Sequence, residues 1–307
     1  MHVTSHQDTS IVIGSRGSKL ALWQAHHIAG RLAQFGAETR IEIIKTTGDR
    51  ITDVPLAKVG GKGLFTKELD EALLAGVIDV AVHSLKDLPA EIPAGLTLAA
   101  IPEREDPRDA LVGRSSEQLE EGSVVGTSSL RREAQLRDWK PGVVIKMLRG
   151  NVDTRLRKLD EREYDAIILA AAGLRRLGLE GRIAELIAVA RMCPAAGQGA
   201  LAIATRDDGS KAQELVRRLD DRNARAAVTA ERAMLATLGG GCQVPIGAYA
   251  EVDEDHLHLM GVVASPDGKR VLRASNSGSD PTRLGVDLAG VLLEQGAREI
   301  LDDVYGG

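Results

Sequence analysis

Apolar residues in this chain fall into short runs whose spacing switches repeatedly between two periods. Residues 11–15, 77–82, 96–101, 124–126, 143–148, 166–170 and 201–205 are brief blocks rich in valine, isoleucine, leucine and alanine. They are too short for helices and are bounded by glycine, proline or charged residues, so they read as buried strands; residues 40–45 alternate as a further one. Between these blocks apolar positions recur three or four residues apart. This predicts helices over 19–33 behind Ser18, a good N-cap residue, over 66–75 with Leu69 and Leu73, and from about 130 to 139. Further helices are predicted around Val152, Leu156 and Leu159, over 171–177, and over 211–219. Alternation of this kind predicts a sheet of parallel strands with helices on its faces.

The pattern changes near Asn223. A helix to about residue 238, strands near 246–251, 257–263 and 271–277, and a helix over 281–295 with Leu284, Leu288, Val291 and Leu292 in register form an α+β block. Two interruptions divide the earlier part. Residues 103–109 are charge-dense around Pro107, and residues 193–200 carry Pro194, Gly197 and Gly199; both read as crossovers. The expected fold is therefore α/β, with one domain over 10–102 and 198–219, a second over 103–197, and a smaller α+β domain over 220–307.

Composition excludes several classes of function. With 307 residues, 43% hydrophobic and 27% charged, the chain has ample apolar material for globular cores. No apolar run reaches the length of a membrane span, and the first ten residues are polar, unlike a secretory signal. Two cysteines are too few for a disulfide framework, so a reducing cytoplasm is the expected location. A formal net charge of −5 and only 2% aromatics argue against nucleic-acid binding. Any anionic ligand must then be met by local clusters of arginine.

Such clusters stand where the predicted strands end. Lys86 and Asp87 follow the strand over 77–82, and Pro89 stops regular structure there, which puts both at a carboxyl end, where open α/β sheets bind ligands. An isolated Lys-Asp pair reads sooner as a solvated turn. The other strand ends tip the balance. Arg16 and Ser18 follow the first strand, and Thr127, Ser128 and Ser129 run into Arg131 and Arg132; Arg149 leads to Arg155, and Arg175 and Arg176 follow the strand over 166–170. Hydroxyls, helix N-terminal amides and guanidinium forks together suit carboxylate or phosphate. The recurrence of arginine at one sheet edge predicts a polyanion site.

Residues 46–65 are polar and glycine-rich. They read as a lid carrying Lys58 and Lys62 or as a plain surface loop, and not as a P-loop, because no Lys-Ser/Thr pair follows the glycines. Cys242 follows three glycines and precedes Pro245, so a reactive or ligated thiol is expected, whereas Cys193 reads as a small buried hydrophobe. The seven histidines are scattered; His256 and His258 would share a strand face as a surface pair, and no metal site is expected. There is no dinucleotide fingerprint and no GxSxG elbow.

As a set, residues 16–24, 55–65, 83–89, 104–108, 126–132, 148–155, 198–199 and 240–245 resemble the porphobilinogen deaminases, or hydroxymethylbilane synthases. The motifs occur in the family's order and cover nearly the whole chain. Lys19, where several relatives carry proline, and Met192-Cys193 depart from the pattern without touching a proposed catalytic group. The resemblance implies an enzyme of tetrapyrrole biosynthesis that joins four porphobilinogen molecules head to tail, loses ammonia at each step and releases hydroxymethylbilane by hydrolysis. It implies a dipyrromethane cofactor held by a thioether to Cys242, and two domains like those of periplasmic binding proteins with a third presenting the cofactor. Asp87 matches the carboxylate that stabilises the azafulvenium cation left by ammonia. Lys86, Thr127, Ser128, Ser129, Arg131 and Arg132 match positions around the cofactor. Arg16, Ser18, Arg149, Arg155, Arg176 and Gln198 match positions for substrate acid groups, and Lys58, Lys62 and Phe65 belong to the lid. A cytoplasmic monomer without metal is implied. A non-catalytic solute-binding domain would share the two-lobed framework and the anion-binding turns, but has no use for Cys242.

Overall fold

The computed structural model describes residues 10–47, 66–89, 91–240, 244–254 and 256–305. Lys58, Lys62 and Phe65 of the expected lid, and Cys242, lie outside the described residues. In chain order the strands are β1 (Ile11–Ser15), β2 (Thr39–Ile43), β3 (Val80–Ser84), β4 (Leu96–Ala100), β5 (Asp109–Gly113), β6 (Val124–Gly126) and β7 (Val144–Lys146). They continue with β8 (Ala166–Ala170), β9 (Ile183–Leu186), β10 (Leu201–Arg206), β11 (Ile246–Asp253), β12 (His256–Ala264) and β13 (Val271–Gly278).

Among the described residues these strands form three sheets, ordered β2-β1-β3-β10-β4, β7-β6-β8-β5-β9 and β11-β12-β13. The first two repeat one plan. In each, a middle strand (β1 or β6) pairs in parallel with its two neighbours, and an antiparallel strand (β10 or β5) follows on one side. Each antiparallel strand is the one that enters from a crossover, so the sheets are mixed and not wholly parallel. The crossovers lie side by side: the Glu105 amide donates to the Gly199 carbonyl at 3.2 Å. Gly199 has φ +87°, and a Cβ there would come within 2.2 Å of the Glu105 oxygen, so glycine is required for the two segments to meet.

The helices are α1 (Lys19–Ala33), α2 (Lys67–Leu74), α3 (Leu130–Trp139), α4 (Val152–Asp160), α5 (Ala171–Arg176), α6 (Lys211–Arg217), α7 (Arg222–Thr237), α8 (Pro281–Glu294) and α9 (Ala297–Tyr305). In α1, Ser18 accepts from the Ala21 amide at 3.3 Å, and Ala21, Ala25, Ile28 and Leu32 form the stripe that packs on the first sheet with Ile13 and Val82. The second sheet is filled on its two faces by Val112, Ile167 and Leu169 and by Leu111, Val125 and Ile168. In the C-terminal block α7 and α8 cover one face of an antiparallel sheet around Met234, Leu259, Leu288 and Leu292. No described helix is long and apolar enough to cross a membrane.

Three elements differ from the sequence expectation. β5 begins at Asp109, inside the stretch read as a crossover, because its first residue is a fully buried acid that masks the apolar run behind it. β9 was not expected, since its four residues include Ala184 and Glu185 and carry no clear alternation. α9 was not expected; it follows the expected helix α8 after Gly296, at φ +98°.

One buried ion pair ties the crossovers to the C-terminal block. Arg104 Nη1 and Nη2 donate to Glu231 of α7 at 2.7 and 3.2 Å, and Arg104 Nε donates to the Gln198 carbonyl at 2.9 Å. The Glu231 carboxylate, fully buried, also accepts from the amides of Gly197 and Ala250 at 2.6 and 2.8 Å. Every lone-pair direction of that carboxylate is thereby used, as a buried charge demands.

Candidate active site

The carboxyl ends of β1 and β3 face those of β6, β7 and β8 across the space between the first two sheets. After β3 the chain makes one turn of 3-10 helix, Leu85–Asp87. Leu85 is buried and anchors the turn, which leaves Lys86 half-buried and Asp87 exposed. The turn is held from two sides. Gln24 of α1 donates to the Ser84 hydroxyl at 3.0 Å, and Arg232 of α7 donates to the Pro89 carbonyl at 2.7 Å.

On the facing lobe, the buried Thr127 hydroxyl accepts from the Ser129 amide at 3.2 Å, and Ser129 caps α3 by accepting from the Arg132 amide at 3.4 Å. Ser128, between them, is exposed. Arg131 and Arg132 are buried and share one carboxylate. Arg131 Nη1 donates to Asp109 Oδ2 at 2.8 Å and to the Cys193 carbonyl at 2.6 Å. Arg132 Nε and Nη2 donate to Asp109 Oδ1 at 3.0 and 2.7 Å, and its Nη1 donates to the Ile168 carbonyl at 3.0 Å. Arg155 donates to the Gly150 carbonyl at 2.8 Å and Arg176 to the Gly199 carbonyl at 2.6 Å. Gln198 bridges the lobes: Lys86 Nζ donates to its Oε1 at 3.3 Å, while its Nε2 donates to Asp109 Oδ1 at 2.9 Å and to the Pro107 carbonyl at 2.7 Å.

The electrostatics couple Lys86, Asp87, Asp109, Arg131, Arg132, Arg149 and Arg155 with one another. Burial, then the charge of Arg132, pushes the Lys86 ammonium down to about 8, with Arg131 adding to the fall and Asp87 and Asp109 opposing it. Burial, then Arg132 and Arg149, pushes Arg155 down to about 10, with Asp87 opposing. Arg176 falls to about 10 through burial, opposed by Glu105. Burial works to raise Asp109, but Arg131 and Arg132 outweigh it and hold the carboxyl well below the usual range. His83 is pushed down to about 4 by burial and by Arg16, so its imidazole stays neutral. The Cys193 thiol is fully buried and pushed up to about 12, again chiefly by burial, which suits a packed and unreactive sulfur.

The structure thus brings together Lys86, Asp87, Arg131, Arg132, Arg149, Arg155 and Gln198, with Thr127, Ser128 and Ser129 on the helix start that carries the arginine pair. Arg16 and Ser18 lie at the carboxyl end of β1, beside His83. An acidic ligand fits this donor set: among the described residues Arg131 uses only Nη1, so its Nε and Nη2 can serve carboxylates. A groove of about 540 Å³ at the opposite strand ends of the second sheet is a poorer match, because Arg114 and Arg182 in it are already paired with Asp165 and Asp160.

Sequence reasoning missed Asp109, which it placed in a charge run, and Glu231. The available signal for Asp109 was the apolar run Ala110-Leu111-Val112 directly behind it, since an acid opening a buried strand requires cationic partners. α7 ends at Thr237, five residues before Cys242 in the chain. Gly239, at φ +69°, closes that helix, and a Cβ on Gly240 would come within 2.5 Å of Ile246 Cδ1.

Residues 11–214 match the family described as "Porphobilinogen deaminase, dipyromethane cofactor binding domain", and residues 225–294 match "Porphobilinogen deaminase, C-terminal domain". The porphobilinogen deaminase of Thiobacillus denitrificans is 53% identical over 300 residues, covering 95% of this chain and 98% of that protein. The protein of the same name from Brevibacillus brevis is 51% identical over 298 residues, covering 95% of this chain and 96% of its own length. Among solved structures, the methionine-binding protein MetQ is similar at 13% identity and a TM-score of 0.44, over 68% of this chain and 89% of that one. The chain belongs to the porphobilinogen deaminase family.

Proposed function

We propose that this chain condenses porphobilinogen head to tail, with loss of ammonia at each addition, and releases hydroxymethylbilane by hydrolysis for tetrapyrrole biosynthesis. The observation that carries the reading is the meeting, between two lobes, of one exposed carboxylate with a set of guanidinium and hydroxyl donors. Bound through Cys242, dipyrromethane supplies a tethered primer ring to which the first unit is joined. Its acid groups are held by Arg131 and Arg132, with Thr127, Ser128, Ser129 and Lys86 as further donors. Arg16, Ser18, Arg149, Arg155, Arg176 and Gln198 receive the acetate and propionate of incoming units, a task suited to planar forks. Asp87 faces the positive charge that develops on the pyrrole as ammonia departs. A charge pair at about 4 Å and an effective dielectric of about 20 is worth roughly 4 kcal/mol, close to three powers of ten in rate when felt only in the transition state. Lys58, Lys62 and Phe65 cover the site as a lid.

The chain works as a monomer in the cytoplasm, without nucleic acid or metal, and folds as units over 10–102 with 198–219, 103–197 and 220–307. The separate sheets support that division, and the acidic net charge supports the exclusion of nucleic acid. Intact mass tests the whole reading. The purified protein is expected to exceed its calculated mass by two pyrrole units and to gain further units with limiting substrate, and Cys242→Ala is expected to lose the excess. A wild-type mass equal to the calculated one would leave the solute-binding alternative standing.

A further inference from the structure

We propose that Asp109 is a positioning residue: from the start of β5 it aims the Arg131 and Arg132 forks and, through the Gln198 amide, orients the Lys86 ammonium toward the same ligand. The inference rests on the reading above for what Lys86 and the arginines bind. Asp109 is fully buried at the start of β5 in the second sheet, whereas Asp87 is exposed on the turn after β3 of the first, so Asp109 acts through the groups it holds and not on substrate.

Three separate constraints end on its two oxygens. Arg132 is held side-on by Oδ1 through Nε and Nη2, and its third nitrogen is fixed to the Ile168 carbonyl, so the plane of the guanidinium has no freedom left. Arg131 is held by Oδ2, and the Cys193 carbonyl that shares its Nη1 also accepts from Gln135 Nε2 at 3.1 Å. Oδ1 further accepts from Gln198 Nε2, which decides which way round that amide sits: its nitrogen toward Asp109, its oxygen toward Lys86. One carboxylate therefore sets the direction of two forks and the face of one amide. It is also the charge that lets three cations share a buried space, since two guanidiniums and an ammonium without it would repel one another.

Among the described residues, the groups that bear on Lys86 are Arg131 and Arg132 from α3, Asp109 from β5 and Asp87 from its own turn, with Gln198 from the crossover. Removing Asp109's charge takes away one of the two carboxylates that, among the described residues, oppose the guanidiniums at Lys86. The ammonium then loses its proton more readily, and the alkaline limit of carboxylate binding moves down in pH.

Competitive labelling of amines with acetic anhydride across pH, read at the Lys86 peptide by mass spectrometry, tests this in the cofactor-loaded protein. Wild type is expected to titrate near 8. In Asp109→Asn the midpoint is expected to fall by about one unit, roughly a tenfold loss of protonated Lys86 above it. An unchanged Lys86 midpoint overturns the proposal; because loss of the charge alone also lowers it, the positioning role is read from Gln198→Met, which leaves the Asp109 charge in place. Gln198→Met keeps both arginine pairs with Asp109 and cuts the relay, together with the bond from Gln198 to the Pro107 carbonyl. A lowered Lys86 midpoint at near wild-type melting temperature is expected there, and an unchanged midpoint overturns the relay. The mass excess that tests the enzymatic reading does not depend on Lys86, so the two failures are told apart.

Discussion

Asp87 combines two properties that pull in opposite directions. It is exposed, yet it sits within the electrostatic reach of Lys86 and Arg155, where water is scarce enough to push both cations below their usual ranges. A carboxylate in that position interacts strongly with a new positive charge without having been buried to do so. Asp87→Asn keeps shape and one acceptor oxygen but removes the charge. Single-turnover rates are expected to fall by about three powers of ten, with circular dichroism and the cofactor mass excess unchanged; a loss under tenfold would remove Asp87 from the chemistry. The types of residue at this site were legible in the sequence because each followed a predictable strand. Their directions were not. Nothing local says that Arg131 and Arg132 turn inward to Asp109, because that carboxylate is brought by a strand more than twenty residues away.

At the scale of elements, turns do the positioning and crossovers do the joining. The helix cap at Ser18 was readable from residue type and spacing and caps the expected helix, while which of the three hydroxyls over 127–129 caps α3 was not, and it is Ser129. β5 and β9 were not, because a strand placed by tertiary pairing needs no periodicity of its own. α7 is the element that most links the parts. Its Arg232 holds the loop after Asp87, its Glu231 receives Arg104 and both neighbouring backbone amides, and it ends five residues before Cys242 in the chain. Glu231→Gln leaves Arg104, only 10% exposed, without its counter-charge. Removing one partner of such a pair is expected to cost about 3 kcal/mol, measured by urea unfolding. An effect within the 1 kcal/mol typical of surface pairs would show that water reaches the junction.

For the whole molecule the sign of the charge matters most. The chain carries a net −5, and its substrate is acidic, so the distant field opposes binding while the arginines between the lobes favour it locally. Each added unit brings an acetate and a propionate into that cationic space. Raising ionic strength from about 0.1 to 1 M shortens the screening length from about 10 to about 3 Å, which weakens the attraction exerted at the mouth but leaves contacts in the desolvated interior largely intact. KM for porphobilinogen is therefore expected to rise several-fold over that range while kcat changes little. The two-lobed plan itself was legible in the repeated strand-helix alternation, but the contacts between lobes were not, since they join residues that share no local pattern. One of them, Lys19 to Asp153 at 3.0 Å, crosses from α1 to α4 with Lys19 74% exposed, and an ion pair so open to water is worth well under 1 kcal/mol at physiological salt. Lys19→Ala should then leave the salt dependence of KM unchanged, because the buried links at Glu231 and Gly199, and not this surface bridge, keep the lobes in register. Should Lys19→Ala instead abolish the rise in KM, the bridge would be the salt-sensitive part and the arginines would not.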